Sequence, residues 1–164
     1  MQTPPNRNLS ILQTLVRHRV DFLVVGGVAA VLQGAPISTF DLDVVHSTDP
    51  ANVSRVLDAL EELDAIYRAQ PELRLRPNAS HLSSPGHQLL ITRLGPLDLL
   101  GSIGIGRTYP DLLPHATELQ AGPSLPIKVL DLETQIAIKE ELGGEKDRAV
   151  LPVLRRTLEE RRKR

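Results

Sequence analysis

The run Phe22-Leu23-Val24-Val25-Gly26-Gly27 constrains the fold more than any other part of this chain. Four consecutive apolar residues have no polar face, so a strand built from them must be covered on both sides, as central strands of helix-flanked sheets are. The glycines then end the strand on a tight turn. Val28 to Gln33 suits a short helix stopped by Gly34 and Pro36. Phe40 to His46 reads as a second strand, with Phe40, Leu42 and Val44 on one face and Asp41, Asp43 and Val45 on the other. Two carboxylates therefore share a face, one turn and one short helix away from the glycines.

The rest of the chain supplies the layers around these strands. A helix is expected from near Asn8, with Leu9, Leu12, Leu15 and Val16 as its apolar face, after a loose end over Met1 to Arg7. Asp49-Pro50 is an N-cap followed by proline at the first helical position, and Val53, Leu57, Leu60 and Leu63 continue a helical stripe. Pro71 to Gly86 has no clear period. Gln88 to Arg93 and Leu97 to Leu100 read as an antiparallel hairpin around Gly95-Pro96, so the sheet is expected to be mixed. Next come a glycine-bearing loop over Gly101 to Gly106, a helix over Tyr109 to Ala116 and a last strand over Ile127 to Leu130. Asp131 caps a helix through Leu142, and Gly143-Gly144 separates it from a final helix over 145–164 that contains Pro152 and ends in a basic tail. At 164 residues, without an internal repeat, the chain is expected to form one domain over 1–164.

Composition narrows the function classes. Aromatic residues make up 2% of the chain, too few for a base-stacking platform, and 19 Lys and Arg against 20 Asp and Glu give no overall attraction for nucleic acid. The absence of cysteine removes disulfides, thiolate metal sites and a cysteine nucleophile. No leader or long apolar run is read, so a cytoplasmic protein with no membrane partner is expected.

The order strand, Gly-Gly, short helix, Asp-x-Asp strand has a chemical use. Gly26 and Gly27 let backbone N–H groups approach phosphate oxygens, and the helix start adds a favourable partial charge. Asp41 and Asp43 can share hard cations such as Mg²⁺ or Mn²⁺, which take carboxylates together with substrate phosphates. Asp98, between Leu97 and Leu99 on a neighbouring strand, is the candidate third carboxylate. Gly-x-Gly-x-x-Gly is excluded by Val28 and Val31, and no Gly-Lys-Ser or Gly-Lys-Thr forms a phosphate loop.

Val24-Val25-Gly26-Gly27 and Thr39-Phe40-Asp41-Leu42-Asp43 resemble the DNA polymerase beta-like nucleotidyltransferase superfamily. Gly95-Pro96-Leu97-Asp98-Leu99-Leu100 and the Asp131 to Lys139 segment are similar to small bacterial nucleotidyltransferase-like proteins related to abortive-infection toxins. The resemblance implies an α/β (α+β) nucleotidyltransferase fold with a small mixed sheet flanked by helices. It also implies transfer of a nucleoside monophosphate from an NTP to a hydroxyl of an RNA end, a protein or a small molecule. In that reading Asp41, Asp43 and Asp98 are catalytic and metal-binding, while Gly26, Gly27, Thr39 and Lys139 contact the nucleotide. A toxin-type role with an antitoxin-type protein partner follows from the same likeness. Relatives often carry arginine where Ile37 stands and Arg-Pro-Lys-Asp where Gly144-Glu145-Lys146-Asp147 stands, so this chain has fewer positive groups for phosphate.

Two rival functions are a degenerate binding module on the same fold and an Asp-x-Asp glycosyltransferase, the second leaving Gly26-Gly27 without a use. Lys139 suits a solvated helix face as well as a triphosphate contact. The scattered histidines lack metal-ligand spacing, with His46 closest to the carboxylates in sequence. Gly101, Gly104 and Gly106 are read as loop-shaping, and the Arg155-Arg156 and Arg161 to Arg164 tail as a solvated helix end suited to its dipole.

Overall fold

A computed structural model describes residues 6–164. Strand β1, Phe22–Val25, is buried along its whole length, as its unbroken apolar run requires. It lies inside a mixed seven-stranded sheet of order β3-β4-β5-β2-β1-β7-β6, with β2 Leu42–His46, β3 Ile66–Tyr67, β4 His87–Thr92, β5 Gly95–Leu100, β6 Ala116–Gln120 and β7 Pro126–Leu130. β1 runs antiparallel to β2 and parallel to β7, and β2 runs parallel to β5. The remaining pairs are antiparallel, including the expected β4–β5 hairpin.

Helices cover both faces. α1 Asn6–Arg17, α2 Gly26–Leu32 and α3 Pro50–Glu62 pack on the face presented by Phe22, Val24, Leu42, Val44, Leu97 and Leu99. On the opposite face, α5 Tyr109–Leu112 and α6 Leu132–Leu142 cover Leu23, Val25, Val45, Leu100 and Leu130. A third cluster joins α2 to α6 and to α7 Glu145–Arg162 through Ala30, Leu132, Ile136, Leu151 and Leu154. The caps act as their residue types suggest: Asp49 accepts from Ala51 N–H at the start of α3, and Asp131 accepts from Thr134 N–H at the start of α6. No helix among the described residues is long and apolar enough to cross a membrane.

Several local expectations are corrected. The second strand starts at Leu42 rather than Phe40, and Phe40, expected on the core face, is 70% exposed. Pairing explains this: β1 matches β2 only from Phe22↔His46 to Val25↔Asp43, so residues before Leu42 have no ladder to join. The loose N-terminal segment is shorter than expected, because Asn6 and Arg7 already open α1; residues 1–5 lie outside the described residues. Pro71 to Gly86 holds a 3₁₀ turn, Pro71–Leu73, and a short helix α4, Ala79–Ser83, capped reciprocally by Asn78 and His81. The expected Tyr109 to Ala116 helix stops at Leu112, passes through a 3₁₀ turn over Leu113–His115 and becomes strand β6 at Ala116. The basic tail is tied into the molecule: Arg161 donates to the carbonyl of Gln33 at 2.9 Å and Arg162 pairs with Glu133 at 3.3 Å.

Candidate active site

The parallel pairing of β2 with β5 places Asp43 directly beside Asp98 in register. Their neighbours along each strand face the interior, Leu42 and Val44 on one side and Leu97 and Leu99 on the other, so alternation sends both carboxylates to the opposite face. That face meets the end of β1, where Val25 pairs with Asp43 and the chain turns into α2 at Gly26. Gly26 has φ of 68°, and a Cβ there would stand 2.6 Å from Asp43 Oδ2. Glycine is needed at this position both for its backbone angle and for the room it leaves the carboxylate. A Cβ on Gly27 would likewise approach Thr39 Oγ1 to 2.6 Å, which brings Thr39 against the same turn.

Asp43 holds its proton unusually tightly, its pKa pushed up to about 7. Partial burial is the main cause, the adjacent Asp98 carboxylate the next and Asp41 a smaller one, with Lys139 opposing them. Asp41 is thus close enough to be felt, although it is exposed and precedes β2 rather than standing on it. The three carboxylates expected to converge form a close pair with a more distant third. Among the described residues, no three or more histidine, aspartate or glutamate side chains are grouped to hold a metal ion. A carboxylate pair still suits a divalent cation whose remaining ligands are phosphate oxygens and water.

Arg68, just after β3, escaped the sequence reading. Its Nη1 donates to Asp98 Oδ1 at 3.0 Å and to the Leu90 carbonyl at 3.0 Å, fixing the only buried member of the carboxylate pair, 8% exposed. One arginine among many, outside every element the sequence predicts, carries no sequence signal for this. Arg68→Gln is expected to destabilise the protein by about 1–3 kcal/mol, because it leaves the buried Asp98 carboxylate without its charged partner. Urea unfolding with an unchanged slope would register that loss, and an unmoved midpoint would mean that solvent holds Asp98 equally well.

Lys139, on α6, ion-pairs with Asp147 of α7 at 3.3 Å and borders two cavities. One of them is also lined by Gly26, Gly27 and Lys146, which brings a second positive charge beside the glycine turn. His46 is removed from the site. It is 1% exposed, lies on the face of Leu42 and Val44, and bonds through Nε2 to the Leu82 carbonyl at 2.8 Å.

Against known proteins, no family profile and no curated sequence matches the chain. Solved structures do. A candidate nucleotidyltransferase from Thermotoga maritima superposes with a TM-score of 0.57 at 20% identity, covering 93% of this chain and 90% of its own. The fold is that of the nucleotidyltransferases. The lincosamide antibiotic adenylyltransferase LnuA, in its lincomycin-bound structure, agrees with a TM-score of 0.56 at 14% identity over 94% of this chain and 98% of its own. With nearly the full length of both neighbours covered, the nucleotidyltransferase fold here accounts for the whole mixed sheet and its flanking helices.

Proposed function

We propose that the chain is a metal-dependent nucleotidyltransferase that moves a nucleoside monophosphate from an NTP to a hydroxyl, working as one domain over 1–164 in the cytoplasm. The observation that carries this reading is the in-register Asp43–Asp98 pair beside the Gly26 turn, with a cavity at that turn to which Lys139 and Lys146 contribute. Gly26 and Gly27 offer the triphosphate backbone N–H groups, Thr39 a hydroxyl beside Gly27, and Lys139 a charge at the border of the carboxylates. Asp41, Asp43 and Asp98 would hold Mg²⁺ or Mn²⁺, which when bound neutralises phosphate charge and stabilises the departing pyrophosphate. Asp98, oriented by Arg68, aligns and helps deprotonate the acceptor hydroxyl.

Incubating the protein with each labelled NTP, Mg²⁺ and a cell extract tests the reading. Label on tRNA or protein would support the toxin-type role with an antitoxin-type partner suggested by the sequence likeness, and label on a small molecule would place the chain beside the lincosamide enzyme in acceptor type. No label with any NTP would favour the second reading, a binding module that keeps the fold. The Arg68–Asp98 ion pair favours that second reading, since a guanidinium already balances the buried carboxylate.

Lys139→Ala separates binding from folding. Its ion pair with Asp147 is partly exposed and contributes little to stability, whereas a charge-assisted phosphate contact is worth roughly tenfold in affinity. Calorimetric titration with a non-hydrolysable NTP is expected to show that loss with a nearly unchanged melting temperature. Equal affinities would return Lys139 to a solvated helix face.

A further inference from the structure

Two cavities flank Gly26, and their chemistry differs. The first, about 190 Å³, combines Gly26, Gly27, Lys139 and Lys146 with apolar side chains such as Ile37 and Leu154, and its two lysines suit anionic groups. The second, about 200 Å³, has mostly apolar walls, Leu100, Ile103, Leu130, Ile138 and Leu142 among them, with Asp43 and Lys139 also in its lining. Gly26, Gln135 and Lys139 line both, so the two spaces adjoin there, and of the two the second is the one that Asp43 lines. Phosphate oxygens would meet one lysine in the second cavity, against two in the first, and would be desolvated against its aliphatic walls. The arginine beside it is also spoken for. Arg107 stands against Gly104 on the cavity wall, and its guanidinium is gripped by both carboxylate oxygens of Glu141, at 2.6 and 2.5 Å. A polynucleotide acceptor is met by cations that neutralise its phosphates, and here Arg107 is already paired with Glu141 and Lys139 with Asp147.

We infer that the aliphatic cavity receives the acceptor, a small molecule with an aliphatic or alicyclic body whose hydroxyl reaches Asp43. This rests on the nucleotidyl-transfer reading and names its substrate class. The acceptor oxygen attacks the α-phosphorus of the NTP and a new P–O bond forms. The bond from that phosphorus to the bridging oxygen breaks, pyrophosphate leaves with the electron pair, and the hydroxyl proton passes to the Asp43–Asp98 carboxylates. Leu142, half exposed on the wall, and Ile103, part-buried, are positions where the cavity can be altered without opening the core.

Amide NMR titrations of the whole chain with cyclohexylmethanol, ATP and a short adenylate oligoribonucleotide test this. The alcohol is expected to shift Ile103, Ile138 and Leu142, ATP with Mg²⁺ to shift Gly26, Gly27 and Lys146, and neither to displace the other. Leu142→Asp should weaken the alcohol about tenfold and leave ATP affinity within about twofold, with Ile103→Ser giving the same split from another part of the lining. Displacement of the alcohol by ATP, or equal losses for both ligands, would overturn the proposal by assigning the cavity to the nucleotide itself. Shifts at Ile103 and Leu142 with the oligoribonucleotide but not the alcohol would overturn it in favour of a polymeric acceptor. If ATP moves no amide with or without Mg²⁺, the nucleotidyl-transfer reading fails first and takes the acceptor with it, which the separate alcohol titration distinguishes from failure of the cavity.

Discussion

Asp43→Asn is expected to melt at a higher temperature than the wild type in EDTA above neutral pH, while losing its response to Mg²⁺ or Mn²⁺ and nearly all turnover. In the folded protein the Asp43 carboxyl titrates near 7, against an ordinary value of 3.8. A raised carboxyl pKa means that the native state binds the proton more tightly than the unfolded chain, so the stability Asp43 contributes is present at low pH and lost as the pH rises from about 4 to about 7. Above that range the ionised side chain sits part-buried beside Asp98, at a cost of about 1–3 kcal/mol that asparagine removes. A bound divalent cation removes the same cost in the wild type by mass action on the folded state. Turnover should fall on the order of a thousandfold, as when a preorganised charge is deleted from a reaction centre. Thermal melts across pH, in EDTA and in millimolar metal, check the three parts together. A wild type that gains no stability from metal, even with a non-hydrolysable NTP, would shift the protein to the binding-module reading.

Gly101→Ala is expected to destabilise the fold by about 3 kcal/mol or more, the upper part of the range for overpacking. A Cβ at this position would lie 2.1 Å from the Ser84 carbonyl oxygen and 2.8 Å from Pro85 Cα, both main-chain atoms that no rotamer change can move. The crossing matters for the site because Ser102 Oγ donates to the Pro85 carbonyl at 2.7 Å and His87, which lines the aliphatic cavity, bonds to the Ser102 carbonyl at 2.8 Å. Gly106→Ala is the matched comparison. Nothing lies within 4 Å of a Cβ there, so only the left-handed backbone, φ 94°, resists substitution, for about 1–2 kcal/mol. Chemical unfolding that gave both variants the same midpoint would show that the Ser84–Pro85 segment yields to the methyl group.

The features legible in the sequence were those with a one-dimensional signature. β1 announced itself by an unbroken apolar run, α3 and α6 by Asp49 and Asp131, and the face of Asp98 by Leu97 and Leu99 on either side. β6, Ala-Thr-Glu-Leu-Gln, has too little apolar contrast to be read, because its five residues become a strand by pairing with β7. β3 is two residues long and exists only against β4. Phe40 continued the alternation of Leu42 and Val44 but had no partner strand to hold it, so period alone extended β2 too far. Within the site, Asp43 and Asp98 could be proposed together from their residue types, whereas Arg68 arrives through a tertiary contact that leaves no pattern in the chain.

The parallel pairing of β2 with β5 also has a kinetic consequence. Between the two strands the chain must build α3, β3, α4 and β4, so the β2–β5 ladder closes one of the longer loops in the molecule and belongs to the late, nonlocal part of folding. The mutual repulsion of the two carboxylates first appears at that step. In metal-free buffer above neutral pH it should slow the closing of the sheet or hasten its reopening, and divalent ions should act chiefly on whichever rate carries that contact. The β1–β7 pairing, Val24↔Val129, closes a longer loop still, so the carboxylate pair sits on one of the late seams of the sheet and persists only while that seam stays closed.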